Sequence, residues 1–295
     1  MSNPKGKLII IGGSVDIGSY NETPTDLTAK IKFFEKGILN RIVSESFRKN
    51  SSKIEIITTA SSIPEQVGTE YVNAFHALNA TDVNVINIKT REEANDPAIV
   101  DRLHHADVVV FTGGDQLKLS SIIGGTAFHH LLLEKYEQED FIISGTSAGA
   151  AASSNNMIYQ GSSQEALRKG EIKITGGLGF INNVIIDTHF VQRGRIGRLL
   201  YACATNPINL GIGLGEDTGL LITEGNSMEA IGSGLIILVD ATHMRDTNMT
   251  DVQIGEPVSI ENLIVHVMAF GDHFDLKTKK LTIGHFKVQE VKENK

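Results

Sequence analysis

A serine set between glycines at the end of an apolar run is the first feature of this sequence able to do chemistry. The stretch Phe141-Ile142-Ile143-Ser144-Gly145-Thr146-Ser147-Ala148-Gly149-Ala150-Ala151-Ala152 reads as a buried strand followed at once by small, helix-tolerant residues. In that context G-x-S-x-G forms a nucleophile elbow. A sharp strand-to-helix turn pushes the Ser147 hydroxyl outward, and flanking glycines remove the Cβ atoms that would collide. The helix starting near Ala148 aims its unpaired N–H groups at the place where an oxyanion develops. The competing reading is that Ser147 only caps the helix. Upstream, Val108-Val109-Val110-Phe111-Thr112-Gly113-Gly114-Asp115-Gln116 repeats the pattern of strand then glycine pair. Its Gly113 and Gly114 amides are candidate oxyanion donors, Gln116 is a candidate substrate contact, and Asp115 is the N-cap if this is an ordinary βα turn.

Ser147 needs a general base, and ten histidines compete. His104, His105, His129 and His130 fall in helical segments and read as surface or packing residues. His189 follows Val184-Ile185-Ile186 and Asp187, so it emerges at a strand end, where catalytic groups of open α/β sheets collect. A carboxylate must fix the imidazole tautomer; Glu165, Asp187, Glu216 and Asp217 all qualify. Beyond His189 lie Arg193, Arg195 and Arg198, either a solvated basic face or a set of guanidinium groups for an anionic ligand. The first strand ends in Ile11-Gly12-Gly13-Ser14, which lacks G-x-G-x-x-G spacing and is weak as a dinucleotide loop. Neither HExxH nor any other metal-ligand spacing occurs, and no metal or other cofactor is expected.

The elements that must position these groups are legible as short apolar runs: Lys7 to Ile11, Ile54 to Thr58, Val83 to Ile88, Val108 to Thr112 and Phe141 to Ser144. Bare runs of this kind suit strands buried on both faces. Helical patterns lie between them at Leu27 to Lys49, Glu65 to Asn79, Ala98 to His105 and Thr126 to Glu139. The alternation predicts a doubly wound, mostly parallel α/β sheet with helices on both faces. After Gly176, glycine-punctuated runs at Leu210 to Leu214, Gly219 to Thr223, Met228 to Ile231 and Leu235 to Val239 predict additional C-terminal strands. Glu224-Gly225-Asn226 and Gly232-Ser233-Gly234 serve as hairpin signals. Ile185 to Ala204 reads as strand end, loop and helix.

With no linker or internal repeat, 295 residues are expected to form a single hydrolytic domain, with a core of about 7–240 and strands and tail over 241–295. The tail from Asp272 to Lys295 should be an edge strand and a frayed end. No apolar stretch is long enough to span a membrane. Met1 to Lys7 carries no secretory leader, so a cytoplasmic protein is expected. A net charge of −8 argues against nucleic acid as partner. The single cysteine, Cys203, has no disulfide or metal partner and reads as a buried small residue.

Gly145-Thr146-Ser147-Ala148-Gly149-Ala150, Gly113-Gly114-Asp115-Gln116, Asp187-Thr188-His189-Phe190 with its three arginines, and Gly215-Glu216-Asp217-Thr218 together resemble the cyanophycinases. These belong to a serine peptidase family that also contains aspartyl dipeptidase, on a flavodoxin-like fold related to class I glutamine amidotransferases. The resemblance runs from about Lys7 to Val239. It implies exo-hydrolysis of cyanophycin, a polyaspartate carrying arginine on each side-chain carboxyl, to β-Asp-Arg dipeptides by a homodimer. It further implies Ser147 as nucleophile, His189 as base, Glu165 as the orienting acid, and Gly114 and Ala148 as oxyanion donors. Gln116, Asp187, Arg193, Arg195 and Arg198 would hold the substrate, and Glu216 its guanidinium. Thr188 departs from the larger polar residue expected in the cyanobacterial enzymes. The alternatives are an aspartyl or isoaspartyl dipeptidase, a non-catalytic binding module on the same fold, and an esterase using His285.

Overall fold

The computed structural model of the protein describes residues 3–17 and 37–284. Five of the apolar runs form β1 (Lys7–Ile11), β2 (Lys53–Ile57), β3 (Asp82–Ile86), β4 (Val108–Phe111) and β5 (Ile142–Thr146). They pair in parallel in the order β1-β5-β4-β2-β3. Alternate residues of β1 serve two cores, as the pleat requires. Leu8 and Ile10 pack with Phe111, Phe128 and Leu132 on one face, while Ile9 and Ile11 pack with Ile38, Leu39, Ile42 and Phe75 on the other. The doubly wound α/β class expected from the sequence is therefore the one observed.

The helices over the two faces are Ile38–Glu45, Pro64–Ala77, Pro97–His104 and Ala127–Gln138, close to the expected spans; residues 27–36 of the first expected helix lie outside the described residues. Starts are set by local chemistry. Pro97 follows the Asp96 cap, whose carboxylate accepts from Ala98 N, and the Thr126 hydroxyl accepts from His129 N. A further helix, Gln116–Ile123, begins at Asp115, whose carboxylate accepts from Leu117 N and Lys118 N. Among the described residues no helix is long and apolar enough to cross a membrane.

The second half departs from a simple extension of the sheet. A hairpin of β6 (Asn156–Gln160) and β7 (Lys173–Gly176) precedes β8 (Val184–Asp187), β9 (Leu210–Leu214), β10 (Thr218–Thr223), β11 (Ser227–Gly232) and β12 (Ile236–Asp240). The turn at Glu224-Gly225 makes the expected hairpin, with both residues at positive φ and β10 and β11 antiparallel. The turn at Gly232-Ser233-Gly234 does not: β11 stays in the first sheet, whereas β12 joins a second one. After the small pair β13 (Asp246–Thr247) and β14 (Ile260–Glu261) come β15 (Ile264–Met268), β16 (His273–Asp275) and β17 (Lys280–Thr282). The first sheet is β17-β16-β11-β10-β1-β5-β4-β2-β3 and the second β15-β12-β9-β8. β17 is the edge strand expected of the tail, whose residues 285–295 lie outside the described residues. β8 and β9 are parallel neighbours joined through helix Ile196–Thr205. That helix buries Leu199, Ala202 and Cys203 against β8 and β12.

Candidate active site

β5 lies between β1 and β4, so the ends of all three strands meet at one edge, with Thr146 opposite Ile11 and Gly145 opposite Phe111. Ser147 follows at φ 52° and ψ −104° and leads directly into helix Ala148–Ala151. Such a backbone is sparsely populated for a non-glycine residue and persists only where its surroundings fix it. Both motif glycines are sterically required: a Cβ at Gly145 would come within 2.5 Å of Gly149 C, and one at Gly149 within 2.7 Å of Phe111 Cβ. Ser147 makes no side-chain capping bond. Its Oγ lies instead 2.9 Å from His189 Nε2, a contact that suits a nucleophile and its base and not a cap.

His189 stands two residues past β8 and Glu216 two past β9, and the parallel register of Asp187 with Gly213 brings both to the same sheet edge. His189 Nδ1 donates to Glu216 Oε1 at 2.7 Å. A carboxylate only accepts, so the proton resides on Nδ1 and leaves Nε2 to receive the serine proton. The imidazole hydrogen bond, assisted by the Ser14 hydroxyl and the charge of Arg193, holds the Glu216 carboxyl below its ordinary value against the opposing effect of burial. Gln192 Oε1 accepts from the Glu216 amide at 3.1 Å.

Three of the expected assignments differ from this geometry. Glu165, expected to orient His189, is exposed in the loop after β6 and pairs with Arg168. Glu216, expected to face a guanidinium, faces the imidazole. Asp187, Arg195 and Arg198, expected to bind substrate, bind one another. Asp187 is only 2% exposed. Arg195 Nη1 donates to its Oδ1 at 3.0 Å and to Thr188 O at 2.8 Å, and Arg198 Nε lies 3.1 Å from Oδ2 as an ion pair. Arg198 also donates to Gly161 O at 3.1 Å. A carboxylate this buried is costly to ionise unless paired; burial pushes the Asp187 carboxyl up, and the two guanidinium groups counter it. Arg193 is exposed. Asp217, the fourth acid considered, is tied to Ser233 Oγ at 2.6 Å and Asp16 N at 3.1 Å.

The Gly113–Gly114 turn does reach the nucleophile. A Cβ at Gly113 would lie 3.5 Å from Ser147 Cβ, and Gly114 adopts φ +143° against the Ala60 carbonyl. Gln116 donates to Ile158 O at 3.0 Å. Behind the elbow the Tyr71 hydroxyl, its pKa raised to about 12 by burial, donates to Thr146 Oγ1 at 3.0 Å. His129 is a packing residue, with Nε2 2.7 Å from Leu178 O and Nδ1 accepting from Gly125 N. Cys203 is buried, as expected, and His285 lies outside the described residues. Sequence reasoning assigned no role to Gln192, which accepts from the Glu216 amide, or to Ser14, which helps hold the Glu216 carboxyl down; the signal for Ser14 was the unexplained glycine pair before it.

Comparison with known proteins agrees with a hydrolytic centre of this kind. Residues 33–230 match the model of peptidase family S51. The chain is 35% identical to the cyanophycinase of Nostoc sp. over 231 residues, covering 78% of each chain. It is 34% identical to that of Geminocystis herdmanii, covering 78% of this chain and 85% of the relative. A peptidase from an acI-B1 Actinobacterium shares the fold at TM-score 0.60 and 18% identity, over 90% of this chain and 98% of its own. With a serine, an imidazole and a carboxylate in line at one sheet edge and a family match over most of its length, the chain belongs to peptidase family S51 and is a serine peptidase.

Proposed function

We propose that this peptidase hydrolyses cyanophycin from the chain end, releasing β-Asp-Arg dipeptides. The observation that carries this reading is the hydrogen-bonded series Ser147–His189–Glu216, in a chain whose curated relatives are cyanophycinases. Ser147 Oγ attacks the scissile carbonyl carbon as its proton passes to His189 Nε2, with Glu216 stabilising the imidazolium. The oxyanion is held by the amides of Gly114 and Ala148. Nε2 then returns the proton to the leaving amine, the C–N bond breaks, and an acyl-enzyme ester on Ser147 remains. Water, deprotonated by the same nitrogen, attacks that ester; carboxylate product and Ser147 hydroxyl are regenerated.

Arg193, exposed beside Glu216, and Gln116 contact the aspartyl backbone. The enzyme works as a cytoplasmic homodimer, each chain one hydrolytic domain. A second reading, a peptidase of smaller aspartyl or isoaspartyl peptides, is favoured by the engagement of Glu216, Arg195 and Arg198 within the protein, which leaves fewer groups for an arginine-rich polymer. Incubation with a cyanophycin suspension decides. Clearing with β-Asp-Arg as product, lost in folded Ser147→Ala by about 10⁴-fold or more, is the expected result. Cleavage of β-aspartyl dipeptides with the suspension left intact would establish the second reading, and full activity in Ser147→Ala would refute both.

A further inference from the structure

The end of β1 passes through the middle of the site, and three successive carbonyl groups there each accept from a different part of it. Ile11 O accepts from Ser147 N at 2.8 Å, Gly12 O from His189 N at 2.7 Å and Gly13 O from Asp217 N, next to Glu216, at 2.9 Å. The three residues so held all have left-handed backbones, with φ of 52°, 49° and 45°. A non-glycine residue keeps such a conformation only where contacts over-determine it. These three are far apart in sequence, and one tripeptide clamps all of them. Gly12 N completes the join by donating to Thr218 O at 2.8 Å.

The glycines are required for a reason unrelated to nucleotide binding. Gly13 has φ +121°, and a Cβ there would lie 2.2 Å from His189 Cε1 and 2.5 Å from Nε2. The imidazole thus rests against the bare Gly13 backbone. A Cβ at Gly12 would lie 2.0 Å from Gly215 O, in the turn that carries Glu216.

We propose that Ile11–Gly13 is the positioning element of the triad: its carbonyl groups set the Ser147, His189 and Asp217 backbones in one frame, and Gly13 sets the plane of the imidazole. Gly13 is a positioning residue that acts through His189. The proposal rests on the serine-peptidase reading of the site and not on the identity of the substrate.

The test uses the full chain carrying Gly13→Ala, with circular dichroism as the control for folding. Moving a catalytic group by about 1 Å costs on the order of 10²-fold. Gly13→Ala should therefore lower kcat by about that factor, with KM little changed, and slow fluorophosphonate labelling of Ser147 in parallel. In proton NMR, the downfield resonance of the His189 Nδ1–H bond to Glu216 should move or vanish. A folded Gly13→Ala with wild-type labelling rate and an unmoved Nδ1–H resonance overturns the proposal. Should Gly13→Ala fail to fold, amide hydrogen exchange in the unmutated chain decides: the Ser147, His189 and Asp217 amides, bonded to the Ile11, Gly12 and Gly13 carbonyl groups, should be protected alike, and rapid exchange of any of them overturns the proposal. Because labelling and NMR need no cyanophycin, an error about the substrate leaves both readouts interpretable.

Discussion

Replacing Glu216 by glutamine separates two roles that place the same side chain in different chemistry. In the structure the carboxylate accepts from His189 Nδ1 at 2.7 Å, and this contact keeps Nε2 unprotonated toward Ser147. A glutamine of the same length offers an amide N–H as readily as a carbonyl, so Nδ1 becomes the acceptor and Nε2 carries the proton, the wrong tautomer for a base. The equivalent carboxylate-to-amide change in a serine-protease triad costs about 10⁴ in kcat. Here the Glu216 side chain is 33% exposed, so water replaces part of the lost interaction, and a loss of about 10² to 10⁴ is expected, each factor of ten being about 1.4 kcal/mol of barrier. The assay is paired: kcat and KM on peptide substrate, and the second-order rate of Ser147 labelling by a small fluorophosphonate. Both rates should fall together while KM changes little. Glu165→Gln, at an exposed residue paired with Arg168, should leave both untouched. Undiminished labelling with a raised KM in Glu216→Gln would refute the orienting role and return this carboxylate to substrate binding.

Removing Arg198 should cost stability before it costs binding. Arg198→Ala leaves Asp187 buried without one of its two cations, a loss of about 3 kcal/mol or more, measured as a lower denaturant midpoint. An unchanged midpoint with a raised KM would instead make Arg198 a substrate ligand. His129 supplies a pH signature. Burial pushes its imidazole below the usual 6.5, so the folded state resists a proton that the unfolded chain accepts. Its contribution is fully present above pH about 6.5 and declines as pH falls below that value toward the folded pKa. Melting temperature between pH 7.5 and 5 should therefore fall less steeply in His129→Gln, and an identical slope would contradict this account.

Much of the parallel half was legible from local pattern. Apolar runs without alternation specify strands covered on both faces, and β1, β4 and β5 lie where those runs were. The strand, glycine, serine, glycine, small-residue order also carried the elbow, because the residue types that mark such a turn lie within a dozen residues of Ser147. His189 was recoverable for the same reason: a polar residue just past an apolar run sits at a strand end whichever sheet the strand joins.

What tertiary structure alone decided is the partner of each of these groups. Glu216 meets His189 only because β8 and β9 are parallel neighbours in a second sheet, 27 positions separating the two side chains. The Gly-Ser-Gly signal at 232–234 predicted a turn correctly but not that it would carry the chain from one sheet to the other. The arginines after His189 showed their charge in the sequence and hid their partner, since a buried Asp187 and a solvated one are the same letter. Gly12 and Gly13 read as a weak nucleotide motif, whereas in the fold Gly13 lies against the imidazole of a residue some 175 positions away and Gly12 against the turn that carries Glu216. A turn or strand is set by the sterics and solvation of consecutive residues, which the sequence contains directly. A contact between strand ends is set by the order and register of the sheets, which emerge only when all the apolar faces have been buried together.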